Sequence, residues 1–569
     1  MIPAAVSPVT VQARRLLYYV DTLLKLNISP RVHPAVLTLA ASVFLVAAYN
    51  NSFWRSFVGA VGHGTSSHAP LIVGSFAVIA LLFNTVLSLL NIRYVIKPLL
   101  VVLFLSTALA SYFMNQYGVQ IDRAMIQNVI ETDTREAQEL LNWRLWVTLA
   151  VLGVMPSLAV LRVRVAYPAG RRRLYLWAGT SVGSLALALL LLMMFFKSLA
   201  PALREHRELR FLLTPTNYIQ AINSYYKQQT ARAVVVKPLG TDAVKRIAAD
   251  AKHPRAVTLI IVGETARAAN FSLNGYPRLT NPELARQPGL LNFPHMSSCG
   301  TATAVSLPCV FSALGRENYS DTQAYAQQGL LDVLAHAGFK VLWRDNNSGC
   351  KGACDRVAYE DLSRPEPGNQ WCVGDECYDE RLLDKLPEMI RDAKDDLVVV
   401  LHQKGSHGPA YYKRYPAAFK RFTPVCETNQ LEDCSREAIV AGYDNTILYT
   451  DHFINQAIEL LKASVASDGV NAAMMYFSDH GESLGEHNLY LHGAPYMLAP
   501  AEQREVPFML WISPGFAERF HIDQPCLAAR TGQQFSHDNV FHSVLGMLSV
   551  NTAVYNPRLD VFAPCTRDK

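Results

Sequence analysis

The chain has 569 residues, of which 50% are hydrophobic and 17% charged, with a formal net charge of +5. This length argues against a single domain, and the apolar content is high for a soluble protein of such size. No basic cluster interleaved with aromatics is present, which argues against a nucleic-acid partner.

The apolar excess lies at the front, in five runs at roughly 34–50, 69–91, 97–115, 144–163 and 174–200. Several reach the ~20 residues that a helix needs to cross ~30 Å of hydrocarbon. Buried core helices are the alternative, but Leu185 to Phe196 offers water no polar face. Arg14, Arg15, Lys25 and Arg31 precede the first run, Arg93 and Lys97 lie in the second connection, and Arg162, Arg164, Arg171, Arg172 and Arg173 lie in the fourth. The first connection carries only Arg55. The third is acidic, with Asp122, Glu131, Asp133, Glu136 and Glu139 against Arg123 and Arg135. Basic connections therefore alternate, as five spans with a cytoplasmic N-terminus require. The Arg14-Arg15 pair is not followed by a short apolar run and a small-residue cleavage site, so the first span is expected to remain as an anchor. Three parts follow: a five-helix transmembrane domain at 1–200, a bridge at 201–237 and an exported domain at 238–569.

In the bridge, Thr214-Pro215 is a helix start. Tyr218, Ile219, Ile222, Tyr225 and Tyr226 then follow helical spacing. Such a stripe suits a helix lying among lipid headgroups, or equally one packed on the exported domain.

All ten cysteines occur from Cys299 onward, in the part expected outside the reducing cytosol. Sequence-adjacent pairing gives Cys299–Cys309, Cys350–Cys354, Cys372–Cys377 and Cys426–Cys434, leaving Cys526–Cys565. A zinc ribbon from Cys350, Cys354, Cys372 and Cys377 is the competing reading.

The exported domain alternates short β-branched runs with helical segments. Val257–Val262 reads as a buried strand ending at Gly263-Glu264-Thr265; Asp396–Leu401 ends at His402, ahead of Ser406-His407-Gly408; Ala472–Phe477 ends at Ser478-Asp479-His480. Continuous apolar strands separated by helices indicate a largely parallel α/β sheet covered on both faces. Ligands of such sheets bind beyond the carboxyl ends of the strands. Glu264, Asp479 and His480 are thereby expected to converge, with His407 and His492 as further site candidates. His402 and His487 are ambiguous, His402 serving equally well as a structural residue at its strand end. Two carboxylates and an imidazole suit Zn²⁺, with a fourth position for the reacting oxygen. Coordination would bring a hydroxyl pKa down, by the logic that takes zinc-bound water from ~15.7 to ~7. The segment Ser298 to Cys309 offers Thr301, Thr303 and Ser306 as nucleophiles. Thr303 precedes a plausible helix over Ala304–Leu314, which would aim N–H groups at an anion. Chemistry and spacing alone do not rank the three.

Several segments together carry a family resemblance: Val262–Arg267, Asn270–Tyr276, Cys299–Cys309, Trp343–Lys351, Ser406–Pro409 and Ser478–His492. On these the chain resembles, nearly end to end, the phosphoethanolamine transferases of bacterial inner membranes that modify lipid A and confer polymyxin resistance. The exported domain is similar to the alkaline phosphatase and sulfatase superfamily. The resemblance implies Thr303 as the nucleophile, forming a phosphothreonine intermediate. It implies Glu264, Thr303, Asp479 and His480 as zinc ligands, and Asn347, Lys351, His407 and His492, with Glu482 nearby, as substrate contacts. Phosphatidylethanolamine is the implied donor and lipid A the implied acceptor, on a monomer set in the inner membrane with its catalytic domain facing the periplasm. His407 or His492 would protonate the leaving group or hold a second metal. The third connection, Gln120 to Trp143, either covers the site and receives the donor or is a plain linker. The rivals are a related headgroup transferase acting on core oligosaccharide and a membrane-anchored phosphodiesterase or sulfatase. Thr303-Ala304-Val305-Ser306 lacks the arginine of the formylglycine-forming sulfatase context.

Overall fold

The computed structural model describes residues 30–566 except 62–68, 133, 207–208, 232–234, 248, 250–253, 367 and 375. Arg14, Arg15 and Lys25, used above for orientation, and Asp133 lie outside the described residues. The chain divides into two compact units, one of residues 1–111 and 144–209, the other of 112–143 and 210–569.

The first unit is helical. Helix α1 (Pro34–Tyr49) and helix α2 (Asn51–Val61) form a pair bent by 73°; α3 (Ala69–Leu89) and α4 (Ile96–Tyr117) follow. After a short helix α5 (Arg123–Glu131), which belongs to the second unit, come α6 (Trp143–Arg162) and α7 (Gly170–Glu205). Among the described residues, four helices are long and apolar enough to cross a membrane, or five if the bent pair counts as one span. The bend falls at Asn50, whose side-chain amide donates to the Leu45 carbonyl at 2.8 Å and replaces part of the interrupted ladder. Polar side chains join three helices inside the bundle. Thr38 lies 3.3 Å from Ser88, Ser88 donates to Asn84 at 3.4 Å, and Asn84 donates to Ser184 at 2.8 Å. Among lipid tails, where apolar packing favours no particular neighbour, such bonds fix which helices associate. Helix α6 relaxes into a π-turn over Leu149–Val154, and Tyr49 donates to the Leu152 carbonyl there at 2.5 Å.

The second unit begins with residues 112–143, including α5, and continues through α8 (Thr216–Ala231). Its centre is one eight-stranded sheet. The strands are β1 (Ala256–Gly263), β2 (Leu290–Ser297), β3 (Lys340–Asp345), β4 (Ala358–Asp361), β5 (Leu397–His402), β6 (Asn471–Ser478), β7 (Glu505–Ile512) and β8 (Phe535–Ser536). Their order is β8-β2-β7-β6-β1-β5-β3-β4. Strands β6, β1, β5, β3 and β4 are mutually parallel, and β7 runs antiparallel between β6 and β2. The sheet is mixed and mostly parallel, as expected.

Strands β1, β5 and β6 are buried at every position. Alternation along β1 explains this. Ile260 and Val262 enter one apolar core, while Val257, Leu259 and Ile261 enter the other, so both faces are covered. Three further helices matter to the site: α9 (Thr303–Val310), α10 (Leu386–Asp392) and the 33-residue α11 (Arg436–Asp468), capped by Ser435, whose side chain accepts from Ala438 N. Because β6, β1, β5 and β3 are parallel neighbours, the loops after Ser478, Gly263, His402 and Asp345 leave the sheet side by side.

Candidate catalytic site

Those four loops meet over α9. Glu264, Asp479 and His480 are completely buried, and one ligand atom from each lies within 4.8 Å of the others. His480 Nε2 is 3.5 Å from Glu264 Oε1 and 3.3 Å from Asp479 Oδ2. Thr303 is the first residue of α9, after Ala302 in extended conformation, and its Oγ1 lies 3.1 Å from each Glu264 oxygen and 3.3 Å from His480 Nε2. The helix is shorter than expected, ending at Val310 rather than Leu314. The rival hydroxyls face elsewhere: Thr301 donates to the Ala494 carbonyl at 2.6 Å, and the buried Ser306 donates to the Asp479 carbonyl. Of the three, only Thr303 touches the Glu264 carboxylate and the His480 imidazole.

The donor set fits a divalent cation. Asp479 Oδ2 is fully buried and accepts no hydrogen bond, a costly arrangement for a carboxylate unless a positive charge arrives. Burial pushes the Asp479 carboxyl up to about 6. Burial, and next the neighbouring His492, drives His480 far below the usual histidine range, leaving the neutral imidazole that a metal needs. His480 Nδ1 lies 2.9 Å from the Gly481 carbonyl, which fixes the tautomer and leaves Nε2 as the free lone pair.

Around this centre, Asn347 donates to Glu264 Oε2 at 2.7 Å and to the Gln403 carbonyl at 2.9 Å, orienting the carboxylate. His492 lies against His480, ring centroids 4.4 Å apart, and its Nδ1 is 2.8 Å from Glu482 Oε2. Glu482 is itself fixed by Tyr411, which donates to Oε1 at 2.7 Å. The His407 ring lies 5.5 Å from that of His492. Lys351 adopts φ 49° and directs its ammonium to the Ser348 carbonyl at 3.1 Å and the Glu131 carbonyl at 3.4 Å. Gly405 sits where a Cβ would lie 2.7 Å from the Glu264 carbonyl oxygen, so only glycine permits this approach. The fold thus gathers Glu264, Thr303, Asn347, His407, Asp479, His480, Glu482 and His492 into one neighbourhood.

Two ambiguous histidines separate. His402 is buried one layer back, its Nδ1 2.9 Å from Asp345 Oδ2, while Trp343 donates to the same oxygen at 2.7 Å. His487 is exposed at a hairpin turn. All ten cysteines form disulfides in the sequence-adjacent pattern: Cys299–Cys309, Cys350–Cys354, Cys372–Cys377, Cys426–Cys434 and Cys526–Cys565. The zinc ribbon is thereby excluded.

Sequence reasoning missed the residues that hold these loops. His537, 1% exposed, accepts from Cys299 N at Nδ1 (3.1 Å) and donates from Nε2 to the Ser478 carbonyl (3.0 Å), tying the loop before Thr303 to the Asp479 loop. Burial lowers its pKa to about 3, consistent with one neutral tautomer doing both. Asp379 accepts from Lys404 N at 2.8 Å and Gly405 N at 3.1 Å. The third connection is not a bare linker. Gln127 on α5 donates to the Ala304 carbonyl at 3.4 Å, Arg123 pairs with Asp321, and Glu139 binds Arg414 at 2.6 Å and Lys413 at 3.1 Å. Of these pairs only Glu139–Arg414 is buried on both sides, and the acidic composition of the segment did not show where its charges go.

Two family models match the chain: phosphoethanolamine transferase EptA/EptB over residues 79–230 and sulfatase over residues 256–550. The chain is 40% identical over 532 residues to phosphoethanolamine transferase EptA of Escherichia coli (strain K12), covering 93% of this chain and 96% of the relative. It is 39% identical over 489 residues to phosphatidylethanolamine transferase Mcr-1 of Escherichia coli, covering 84% and 90%. The solved integral membrane lipooligosaccharide phosphoethanolamine transferase A of Neisseria meningitidis superposes with TM-score 0.90 at 34% identity, over 95% of this chain and all of that one.

Proposed function

Because the chain belongs to the phosphoethanolamine transferases of the bacterial inner membrane, we propose that it moves phosphoethanolamine from phosphatidylethanolamine to a phosphate of lipid A by way of a phosphothreonine at Thr303. The apolar helices anchor the enzyme, and its catalytic domain faces the periplasm. The observation carrying the reading is the position of Thr303 Oγ1, 3.1 Å from both oxygens of buried Glu264 and 3.3 Å from His480 Nε2. Glu264, Asp479, His480 and Thr303 would hold the metal, which we take to be zinc from the mixed carboxylate and imidazole donor set. When bound, the ion supplies positive charge that favours the ionised hydroxyl and offsets charge on the phosphoryl oxygens.

The chain's own residues supply the rest. In the first half-reaction Thr303 Oγ loses its proton and bonds to phosphorus; the bond from phosphorus to the diacylglycerol oxygen breaks, and that oxygen takes a proton. In the second, an oxygen of the acceptor phosphate attacks phosphothreonine and Thr303 leaves. Asn347 holds Glu264 in place for both halves, and Lys351 contributes a positive charge to the phosphoryl group. His492, its Nδ1 bonded to Glu482, and His407 beside it are the candidates to hold the proton that the diacylglycerol oxygen receives. The lipooligosaccharide acceptor named for the Neisseria meningitidis relative supports a lipid A phosphate here. Leaving both lipids' acyl chains in the bilayer avoids exposing tails worth ~0.8 kcal/mol per CH₂.

The test is intact-protein mass spectrometry of the full-length enzyme in vesicles containing phosphatidylethanolamine. One phosphoethanolamine adduct is expected on Thr303, absent from Thr303→Ala and present in Thr301→Ala. An adduct on another side chain, or turnover by Thr303→Ala, overturns the mechanism. Lipid A lacking the added group in expressing cells overturns the acceptor alone.

A further inference from the structure

The short 3₁₀ turn Asp379–Leu383 has two chemical faces. Asp379 binds the backbone of the Lys404-Gly405 loop beside the catalytic centre. Its neighbour Glu380 lines a separate cleft of about 900 Å³, bounded by Trp371, α10 and the outer side of α11. That volume lies within the range of ligand sites, roughly 300–1,000 Å³.

Glu380 is 8% exposed, yet its Oε2 is buried with no hydrogen-bond partner. A buried carboxyl oxygen left without a donor is costly unless a ligand or proton meets it. Burial pushes this carboxyl up to about 7, so near neutral pH it both donates and accepts. The remaining wall is rich in amides and hydroxyls, including Gln456 and Ser464. Besides Glu380 and His452, the cleft has two basic and three acidic residues. These charges nearly cancel and select neither a phosphate nor an ammonium group. The cleft's apolar residues, Trp371, Leu383, Pro387, Leu460 and Ala463, are interleaved with these polar and charged ones. A partly buried indole beside carboxyl, amide and hydroxyl groups suits a ligand with an apolar ring face and a hydroxylated edge.

We propose that this cleft is a second, non-catalytic site that binds a saccharide, with Trp371 against the sugar ring and Glu380 bonded to its hydroxyls. The choice of a sugar rests on the sugar-bearing acceptor of the transferase reading; the cleft and its unmet carboxyl do not. Through Asp379 on the same turn, an occupied cleft would stiffen the Lys404-Gly405 loop.

The test uses the full-length enzyme in phospholipid nanodiscs, free of sugar detergents, titrated with N-acetylglucosamine disaccharide. This probe carries neither phosphate nor acyl chain. Calorimetry is expected to show binding with a Kd on the order of 1 mM. Trp371→Ala should weaken it by about tenfold or more. Gln456→Trp, at an exposed helix position that tolerates the change, should fill the cleft with the same result. Thr303→Ala should bind as the parent does. No binding by the parent, binding untouched by both cleft variants, or binding lost in Thr303→Ala would each overturn the proposal. Donor labelling of Thr303, measured on the parent and the two cleft variants, reports separately on the transferase reading.

Discussion

Replacing His537 by leucine asks whether the two loops that carry Thr303 and Asp479 are held by one imidazole. The ring bridges Cys299 N and the Ser478 carbonyl at 3.1 and 3.0 Å, and both groups are buried. Leucine fills most of the space against Phe477, whose ring lies 5.4 Å from that of His537, but restores neither bond. A buried backbone group left unpaired costs about 1–3 kcal/mol, so the pair amounts to about 2–6 kcal/mol. In a domain of this size, that corresponds to a fall in melting temperature of roughly 2–7 °C. Cys299 and Ser478 lie close in sequence to Thr303 and Asp479, so released loops shift Thr303 against Glu264 and Asp479. A displacement near 1 Å is worth roughly 100-fold in rate, and kcat should fall more than KM. His542→Leu is the control. It breaks one half-buried bond from Asn556 N (3.2 Å), so it should lower the melting temperature without changing kcat below the transition. Thermal denaturation by differential scanning fluorimetry and transfer kinetics at a temperature where all variants are folded check both parts. A His537→Leu protein that melts with the parent, or that is destabilised yet keeps full kcat, refutes the argument.

Two further outcomes are expected. Asp451 is buried beneath Glu283 N and Leu284 N, at 2.9 and 3.1 Å, and burial raises its pKa to about 7 against 3.8 for the unperturbed group. The folded state therefore holds the proton more tightly, so this group's contribution to stability falls as pH rises from ~4 to ~7 and is flat beyond. Melting temperatures measured across this interval should fall less steeply with rising pH in Asp451→Asn than in the parent; an unchanged slope contradicts the assignment. Arg414, with a side chain 1% exposed, pairs with Glu139 and Glu376 and donates from Nε to the His407 carbonyl at 2.8 Å. Glu139→Ala should cost about 3 kcal/mol, because it leaves that guanidinium half-paired in a buried place. It should also hasten limited proteolysis within 112–143, whereas unchanged melting and cleavage would mean that the pair holds nothing.

The spans and the parallel core strands were legible because each depends on a local pattern. Runs such as Leu185–Phe196 have no polar face, and Val257–Val262, buried on both sides, has no alternation to confuse the assignment. The end of each such strand was legible too, since a charged residue after an all-apolar run must lie where the sheet stops. The antiparallel pair β7 and β2 went unread. Both carry proline, and β2 mixes Asn292 and His295 into its sequence, as a strand near the sheet's edge permits. The break at Asn50-Asn51 was equally hidden, because hydropathy reports that a segment is apolar and not that its axis turns.

Ranking the three hydroxyls needed contacts that no spacing rule contains. Thr301 and Ser306 differ from Thr303 in that their hydroxyls meet backbone carbonyls rather than a carboxylate and an imidazole, and those carbonyls, of Ala494 and Asp479, lie more than 170 residues away in sequence. The same holds for the acidic third connection. Its sequence fitted a cover over the site and a plain linker equally well, and in the structure Arg123, Glu131 and Glu139 each face an opposite charge on the catalytic domain: Asp321, Lys351 and Arg414. An interspan segment whose charges are matched in this way does more than join two helices. It belongs to the folded catalytic unit, so a soluble fragment beginning after residue 210 would keep the strand-end ligands but lose partners for Asp321, Lys351 and Arg414. Of these, Arg414 is the costliest to strand, because it is the most deeply buried and also supports the backbone of His407.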